Sequence, residues 1–284
     1  MGRGMAANLV RAGYDLAVYN RTRAAAEQIG AMGAAVVNTP AEAACGRDVV
    51  IAMLADPPAI QSAVLGPGGV IEGLESGSVL VDCSTVDPAT TAATRAAAAA
   101  KGAAFLDAPV AGSKDAAAKG ELILMVGGDQ ETLDRVRAIL DAVGRKIVHA
   151  GPSGSGTSLK LSFNLLVGHV TAGLAEALVL GMKSGVKPET LLEALMSSML
   201  GSRFIEWKSQ CIMDHDFTTN FSTRLMHKDL NLMMSAAYDL EVPLPSTAAV
   251  KELFSMARGH GEADEDICAV VKVLEDLAGV EVRR

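Results

Sequence analysis

The stretch Gly151-Pro152-Ser153-Gly154-Ser155-Gly156 separates two parts of the chain that differ in pattern. Before it, short apolar runs of β-type composition alternate with helical segments, whereas after it only helical periods follow. Alternating strands and helices are typical of a doubly wound α/β sheet with helices on both faces. We therefore predict an α/β fold class, with a doubly wound domain over residues 1–151 and an all-helical domain over residues 152–284.

The predicted strands are short, and several are continuous apolar runs, as in a parallel sheet that is covered on both faces. They are Asp15–Asn20, Ala34–Val37, Asp48–Leu54, Ser78–Cys83, Ala104–Asp107, Leu122–Val126 and Lys146–Val148. Helices are predicted between them at Arg23–Met32, Pro88–Ala100 and Gln130–Ala142. The helices predicted for the second domain are Ser158–Lys183, Pro188–Ser197, Arg224–Asp239, Thr247–Arg258 and Glu265–Leu277.

Composition and charge argue against several classes of protein. The 284 residues are enough for two domains or one large one, and since half of them are hydrophobic and 20% charged, a sizeable core can be buried. The net charge is −8 and the basic residues form no long run, so we expect neither a nucleic-acid footprint nor a membrane-binding patch. The most apolar stretch, Leu161–Met182, contains Asn164, His169 and Glu176, and we interpret it as a buried helix of a soluble protein.

The four cysteines form no CxxC pair and no spacing typical of metal ligands. They are Cys45, Cys83, Cys211 and Cys268. We interpret them as reduced core thiols in a reducing compartment, and we expect a cytoplasmic protein without a metal site. The first 14 residues contain two arginines in a short mixed pattern, which is not that of a secretory signal.

The chain opens with Met1-Gly2-Arg3-Gly4-Met5, followed by a helical pattern and a strand that ends in Tyr19-Asn20-Arg21-Thr22. A Rossmann-type dinucleotide-binding domain begins with a strand, then GxGxxG, then a helix. Met1-Gly2 therefore read as the end of that fingerprint, and we expect the first strand and first two glycines to be missing through an internal start. The alternative is a naturally short chain. The loss would leave strand edges unpaired and weaken cofactor binding.

Lys160 is the strongest candidate for a catalytic residue. It follows the glycine-rich segment and lies four positions before Asn164, so both side chains share one face of a helix. Its neighbours Leu159 and Leu161 are apolar, and burial among such residues disfavours the charged form of a lysine. That property suits proton transfer. The alternative is a lysine whose stem is buried and whose ammonium reaches solvent.

Four segments, in order, resemble the β-hydroxyacid dehydrogenase family, and the resemblance covers essentially the whole chain. They are Val81-Asp82-Cys83-Ser84-Thr85, Asp107-Ala108-Pro109-Val110-Ala111-Gly112-Ser113-Lys114, Gly154–Asn164 and Phe221–Leu230, which contains Lys228-Asp229-Leu230. The resemblance implies an oxidoreductase that interconverts a small hydroxy acid and its aldehyde or keto form. Its substrates would be those of 3-hydroxyisobutyrate dehydrogenases or of glyoxylate and succinic semialdehyde reductases. It also implies a homodimer or homotetramer.

The resemblance assigns roles to individual residues. Lys160 would be the general acid/base, assisted by Asn164. The cofactor would be bound by Gly2, Asn20, Arg21, Thr22, Leu54, Ala55, Thr85 and Lys228. Arg21 stands where NAD-binding domains carry an acidic residue, and a guanidinium there suits the 2′-phosphate, so we expect NADP rather than NAD.

The substrate would lie against Ala111, Gly112, Ser113, Phe221 and Asp229. Ala111 departs from the family pattern, because a serine is usual there and its hydroxyl is lost. Gly112 and Ser113 keep two backbone donors and one hydroxyl for a substrate carboxylate.

Two alternatives of other kinds stay open. An imine reductase would share this fold, but its lysine is usually replaced, so Lys160 argues against it. A non-catalytic dehydrogenase-like interaction module is favoured by the missing fingerprint. Lys160, Asn164 and Lys228 argue against that second alternative.

Overall fold

The computed structural model describes residues 1–284, which form two compact units, Met1–Leu161 and Ser162–Arg284. The first unit alternates strands and helices, as predicted. Its elements are α1 (Gly2–Arg11), β1 (Ala17–Val18), α2 (Arg23–Gly30), β2 (Ala35–Val36), α3 (Pro40–Ala44), β3 (Val49–Ala52), α4 (Pro57–Ile60), α5 (Val70–Gly73), β4 (Val79–Asp82), α6 (Pro88–Ala100), β5 (Ala104–Asp107), β6 (Val110–Ala111), α7 (Lys114–Lys119), β7 (Leu122–Gly127), α8 (Gln130–Asp141), β8 (Gly144–Gly151) and the start of α9 (Ser155–Lys183). The Rossmann-like α/β class is confirmed.

The strands form two sheets rather than one wholly parallel sheet, which corrects part of the prediction. Strands β1 and β2 pair only with each other, in parallel. The second sheet has the order β3-β4-β5-β7-β6, and β8 pairs with β7. Strands β3, β4 and β5 are parallel, but β7 runs antiparallel to β5 and β6 and parallel to β8. An apolar run predicts a buried strand and carries no information about its direction.

The larger sheet is covered on both faces, as its continuous apolar strands predict. In β4, Val79 and Val81 pack into one cluster with Leu106 of β5, whereas Leu80 packs into a second cluster with Phe105. All of these side chains are buried. Strand β6 was not predicted as a strand, because two residues carry too little periodicity.

The second unit is helical, as predicted. It contains the rest of α9, α10 (Pro188–Met196), α11 (Arg203–Met213), α12 (Thr223–Asp239), α13 (Pro245–His260) and α14 (Val270–Ala278). Helix α11 was missed by the sequence prediction. The helix predicted at Glu265–Leu277 begins only at Val270, because a short 3-10 turn occupies Ile267–Ala269.

Two further findings concern predictions made from composition. Helix α9 is long and apolar enough to cross a membrane by length and composition, a criterion that core helices also meet, and 39% of its most apolar window is buried. The cysteines are free, but the description of all four as core thiols is wrong. Cys83 and Cys268 are buried, whereas Cys45 is exposed and Cys211 is partly exposed.

Candidate active site

The N-terminus of α9 is fixed by the carboxylate of Asp107, at the end of β5. Asp107 Oδ1 accepts hydrogen bonds from the Gly154 N–H at 2.7 Å and from the Ser153 hydroxyl at 3.2 Å. Asp107 Oδ2 accepts one from the Thr157 N–H at 2.9 Å. Thr157 belongs to the first turn of α9, whose N–H groups have no intrahelical acceptors, and Ser153 and Gly154 immediately precede the helix. A distant acidic residue thus caps the helix that carries Lys160.

Gly156 permits the close approach of α9 to the sheet. A Cβ at this position would overlap the carbonyl oxygens of Met125 and Asp107. The neighbouring Thr157 side chain is buried and shares a hydrogen bond of 2.9 Å with the hydroxyl of Thr91 in α6. The glycine-rich segment is therefore a packing requirement, because it lets the first turn of α9 lie against β5 and β7.

Lys160 and Asn164 both belong to α9 and lie one helical turn apart, as predicted. Both are buried, with 7% of Lys160 and 2% of Asn164 exposed. The burial of Lys160 contradicts the alternative of a lysine that reaches solvent.

Asn164, Asp229 and Lys228 form one polar cluster within the helical unit. The Asn164 Nδ2 amide donates to Asp229 Oδ2 at 2.6 Å, and Lys228 Nζ lies 2.8 Å from Asp229 Oδ1. Asp229 is buried, whereas Lys228 keeps about a fifth of its side chain exposed at 19%. Because Asp229 accepts from the amide nitrogen, the Asn164 carbonyl oxygen is oriented as the remaining acceptor.

The predicted carboxylate-binding loop follows β6. Ala111 is buried in that strand opposite Ile123, which leaves Gly112 and Ser113 as the loop residues. Gly112 has φ +139, and a Cβ there would crowd Leu122 and Ala116. The Ser113 hydroxyl accepts the N–H of Ala116 at 3.2 Å and so caps α7. Its O–H hydrogen remains available as a donor.

The carboxyl ends of β3 and β4 are joined by Ser84, which is not among the predicted site residues. Its hydroxyl accepts the N–H of Leu54 at 2.9 Å, and its own N–H donates to Asp82 Oδ1 at 2.9 Å. Burial raises the pKa of Asp82; the hydrogen bonds from Ser84 oppose this, and the nearby charge of Asp107 adds to it. Leu54 and Thr85 thus flank one fixed strand end, whereas Ala55 is exposed.

The predicted ribose-binding residues lie just after β1. Asn20, Arg21 and Thr22 are exposed, and the Asn20 amide donates to the Thr22 carbonyl at 2.9 Å. The nearby Arg23 differs from Arg21, because it is held by Glu27 at 3.0 Å and by Asn38 at 2.7 Å. Arg21 is therefore the uncommitted guanidinium of this segment.

The hydrogen-bond donors near the N-termini of α1 and α2 are chemically suited to a nicotinamide dinucleotide. Helix α1 starts with Gly2, its first-turn N–H groups have no side-chain cap, and no acidic residue lies in that turn. Uncapped amides at a helix N-terminus suit a pyrophosphate. A guanidinium near the end of β1 suits a ribose phosphate. No group of three or more His, Cys, Asp or Glu side chains is placed to hold a metal ion.

Phe221 is positioned by a buried ion pair that sequence reasoning missed. Lys208 Nζ lies 2.6 Å from Asp266 Oδ1, and both side chains are 2% exposed. Asp266 Oδ2 accepts the N–H groups of Asn220 at 3.0 Å and Phe221 at 3.2 Å. Burial alone would raise the pKa of Asp266, but the Lys208 charge and these hydrogen bonds lower it overall. The only sequence signal was a charged residue within the apolar face of α11.

Two family models match successive parts of the chain. The family model for the NAD-binding domain of 6-phosphogluconate dehydrogenase matches residues 1–151. The model for the NAD-binding domain of NADP-dependent 3-hydroxyisobutyrate dehydrogenase matches residues 154–274.

Individual proteins extend the comparison. The chain is 37% identical to 2-(hydroxymethyl)glutarate dehydrogenase of Eubacterium barkeri, over 99% of this chain and 94% of that protein. It is 34% identical to the chloroplastic glyoxylate/succinic semialdehyde reductase 2 of Arabidopsis thaliana, over 97% and 77%. A solved structure of Mycobacterium tuberculosis 3-hydroxyisobutyrate dehydrogenase with L-serine matches with a TM-score of 0.88 and 30% identity, over 96% and 95%. The chain belongs to the β-hydroxyacid dehydrogenase family, whose members are NAD(P)-dependent hydroxyacid oxidoreductases.

Proposed function

We propose that this enzyme uses NADP to interconvert a small hydroxy acid and its aldehyde or keto form, with Lys160 as the general acid/base. The observation that carries the proposal is the burial of Lys160 on a helix whose first turn is anchored by Asp107. A lysine whose only role is to keep a surface soluble has no reason to be buried. A lysine that transfers a proton interacts more strongly with its substrate when both are shielded from water.

Each residue of the proposed site has a separate role in the reaction. Lys160 Nζ gives a proton to the substrate carbonyl oxygen in reduction and takes it back from the hydroxyl in oxidation. Asn164, held by Asp229, offers its carbonyl oxygen as a fixed acceptor. The Gly112 and Ser113 N–H groups and the Ser113 hydroxyl bind the substrate carboxylate. The cofactor, when bound, supplies or accepts the hydride.

The preference for NADP rests on Arg21. It is exposed, it follows β1, and its guanidinium is not committed to a carboxylate, unlike that of Arg23. A planar guanidinium binds phosphate through two parallel hydrogen bonds. A carboxylate, which would select the ribose hydroxyls of NAD, is missing from the segment Asn20–Arg23.

The substrate class follows from the carboxylate-binding loop and from the relatives. We infer a short acid with an aldehyde or keto group, and reduction as the favoured direction. Glyoxylate and succinic semialdehyde, named in a relative that is 34% identical, are the first candidates. 3-Hydroxyisobutyrate and tartronate semialdehyde are the next compounds to compare.

We also infer that α9 contributes to a homodimer or homotetramer. Its apolar residues Phe163, Leu166 and Leu180 are exposed by 41%, 64% and 69%. A large contiguous patch of exposed apolar side chains commonly marks a protein–protein interface. Light scattering on the purified protein would show a mass of two or four chains, and a monomeric mass would contradict the inference.

Steady-state turnover tests the proposed reaction. NADPH consumption is measured with glyoxylate and with succinic semialdehyde, and NADH serves as the matched cofactor control. Turnover with either aldehyde and NADPH, at a higher kcat/KM than with NADH, supports the proposal. If NADPH binds in a direct titration but neither these aldehydes nor the hydroxy acids in the reverse direction react, the proposed activity is wrong.

A further inference from the structure

One side of α9 carries apolar residues at alternating intervals of three and four positions within the helical unit. We call this row the α9 seam, and its members are Phe163, Leu166, Val170, Gly173, Ala177 and Leu180. A spacing that averages 3.5 residues keeps the side chains in line along a helix, and such a row is the contact surface of two helices that coil around each other. The α9 seam therefore has the pattern of a helix–helix interface.

The α9 seam is open along its length. Its large side chains are exposed by 41%, 64%, 37% and 69%, in the order Phe163, Leu166, Val170 and Leu180. A Cβ added at Gly173 would meet nothing within 4 Å, so space also remains beside the middle of the seam. The side of α9 that packs into the helical unit carries other, buried residues, among them Thr171, Ala175 and Leu178. The seam is thus not the side by which α9 contacts its own fold.

The α9 seam is complementary in size to a second copy that runs in the opposite direction. Positions 163 and 180, 166 and 177, and 170 and 173 lie at equal distances from its middle. In an antiparallel pair of identical helices these positions face each other. The facing pairs are Phe163 with Leu180, Leu166 with Ala177, and Val170 with Gly173. Both small residues of the seam then lie opposite a larger one, which fills the interface as close packing requires.

A parallel pair would fit less well. Each residue would face its own copy, so Gly173 would lie opposite Gly173 of the partner subunit. The bulky Phe163 would likewise face its copy and hold the helices apart. A gap in an interface costs stability, because the side chains that line it lose their contacts. The order of large and small residues therefore favours the antiparallel direction.

The polar residues beside the α9 seam favour the same direction. His169 and Glu176 each precede a seam residue by one position and so share one flank of the seam. Antiparallel pairing brings this flank against the same flank of the second copy, so that His169 lies beside Glu176 of the partner subunit, and the two-fold axis repeats the contact. His169 is bonded to Thr247 through Nε2 at 3.0 Å, which leaves Nδ1 for the carboxylate. Parallel pairing would instead bring Glu176 against the apolar flank that contains Leu174.

We propose that the α9 seam binds the α9 seam of a second copy of this chain, with the two helices antiparallel about a two-fold axis between positions 171 and 172. The proposal rests on the assembly inferred under the proposed function, and it adds the surface, the direction and the facing residues. An interface of this kind uses the same surface on both copies and closes the assembly.

Light scattering on the full chain tests the surface. Leu166→Glu and Leu180→Glu each place a charge in the interface and should halve the mass found for the unchanged chain. Leu240→Glu is the matched control, because Leu240 is 71% exposed at the end of α12, and it should keep that mass. Circular dichroism shows that each variant is folded. An undiminished mass of folded Leu166→Glu and Leu180→Glu would overturn the proposal.

The unchanged chain also tests the choice of partner. Its mass should be that of two or four copies, and a monomeric mass would overturn the proposal. Helix α9 is apolar enough to meet a membrane criterion. Sedimentation of a monomeric chain with phosphatidylcholine vesicles would therefore overturn the proposal in favour of a lipid surface.

Engineered cysteines test the direction of the two helices. After mild oxidation, the double variant Phe163→Cys/Leu180→Cys should give a covalent dimer on a non-reducing gel, and dithiothreitol should reverse it. Each single variant should give none, because like positions of the antiparallel pair are about 25 Å apart along the axis, from 17 residues at about 1.5 Å each. A disulfide needs Cα atoms within about 7 Å.

The unchanged chain, oxidised in the same way, controls for its own free cysteines. A covalent dimer of Phe163→Cys alone would show parallel helices and overturn the proposal, as would the absence of a covalent dimer of the double variant. These measurements use neither cofactor nor substrate, so a failure of the proposed reaction would leave their result unchanged.

Discussion

The carboxylate of Asp107 and the N–H of Thr157 are 2.9 Å apart, although 50 residues separate them in the sequence. This hydrogen bond joins the end of a sheet strand to the first turn of the helix that carries Lys160. An acidic group at a helix N-terminus also interacts favourably with the helix dipole. Asp107 is therefore a positioning residue for Lys160, because the place of α9 along the sheet depends on it.

Replacing Asp107 by asparagine tests this role. One carboxylate oxygen becomes an NH2 group, which donates and does not accept, so the N–H of either Gly154 or Thr157 loses its acceptor. We expect a loss of about 1–3 kcal/mol in the free energy of unfolding, the usual cost of an unsatisfied buried polar group. Urea denaturation measures it, with Asp141→Asn at the exposed end of α8 as the control. Equal stability of the two variants would show that the cap contributes nothing.

Two glycines of α9 should respond to alanine in opposite ways. Gly156→Ala places a methyl group against two backbone carbonyls, so we expect a destabilisation of about 1–3 kcal/mol from the forced backbone shift. A Cβ at Gly173 meets nothing within 4 Å, so Gly173→Ala should stabilise the helix by about 0.5–1 kcal/mol. Thermal unfolding compares the two variants, and destabilisation of both to the same extent would contradict the packing argument.

Arg21→Ala should separate the two nicotinamide cofactors. Loss of a charged hydrogen bond costs about 1.5–3 kcal/mol, so the KM for NADPH should rise roughly tenfold or more, while the KM for NADH changes little. Arg23→Ala is the matched control, since that guanidinium is committed to Glu27 and Asn38. An unchanged KM for NADPH in Arg21→Ala would remove the basis for the NADP preference.

The Lys208–Asp266 pair should make the free energy of unfolding depend on pH in the acid range. The pKa of Asp266 is lower in the folded chain than its ordinary value of 3.8. Its contribution is therefore complete above about pH 4, and is lost as the pH falls through the lowered folded value, because the unfolded chain binds the proton first. Asp266→Asn should remove this part of the pH dependence, and Asp239→Asn, at an exposed helix end, should retain it. Identical acid profiles for all three proteins would contradict the assignment.

Much of the fold could be read from local pattern. Strand β5 and helix α6 have the predicted bounds, because an apolar run and an Asp-Pro helix start are local signals. Helix α11 was missed, since its polar residues obscure the helical period and its buried Lys208 has a partner 58 residues away. The direction of β7 was missed for a related reason, because strand pairing depends on contacts between distant residues.

Only part of the candidate site could be predicted from the sequence, because several of its residues contact partners that are distant along the chain. Lys160 and Asn164 share one helix, so their spacing was enough to place them on one face. Asp107, Ser84 and Asp266 act on residues that are distant in sequence or belong to other elements, and no spacing indicates them. Asp107 and Ser84 stand in segments that resemble the family, but a polar residue beside a buried segment does not identify its partner.

Replacement of Lys160 tests the central claim most directly. Lys160→Met should lower kcat for aldehyde reduction by about 10²–10⁴-fold, the usual contribution of a general acid/base, while NADPH binding in a fluorescence titration stays unchanged. Lys183→Met, on the exposed far end of the same helix, is the matched control and should keep its kcat. A Lys160→Met protein that binds NADPH and turns over as fast as Lys183→Met would contradict the account.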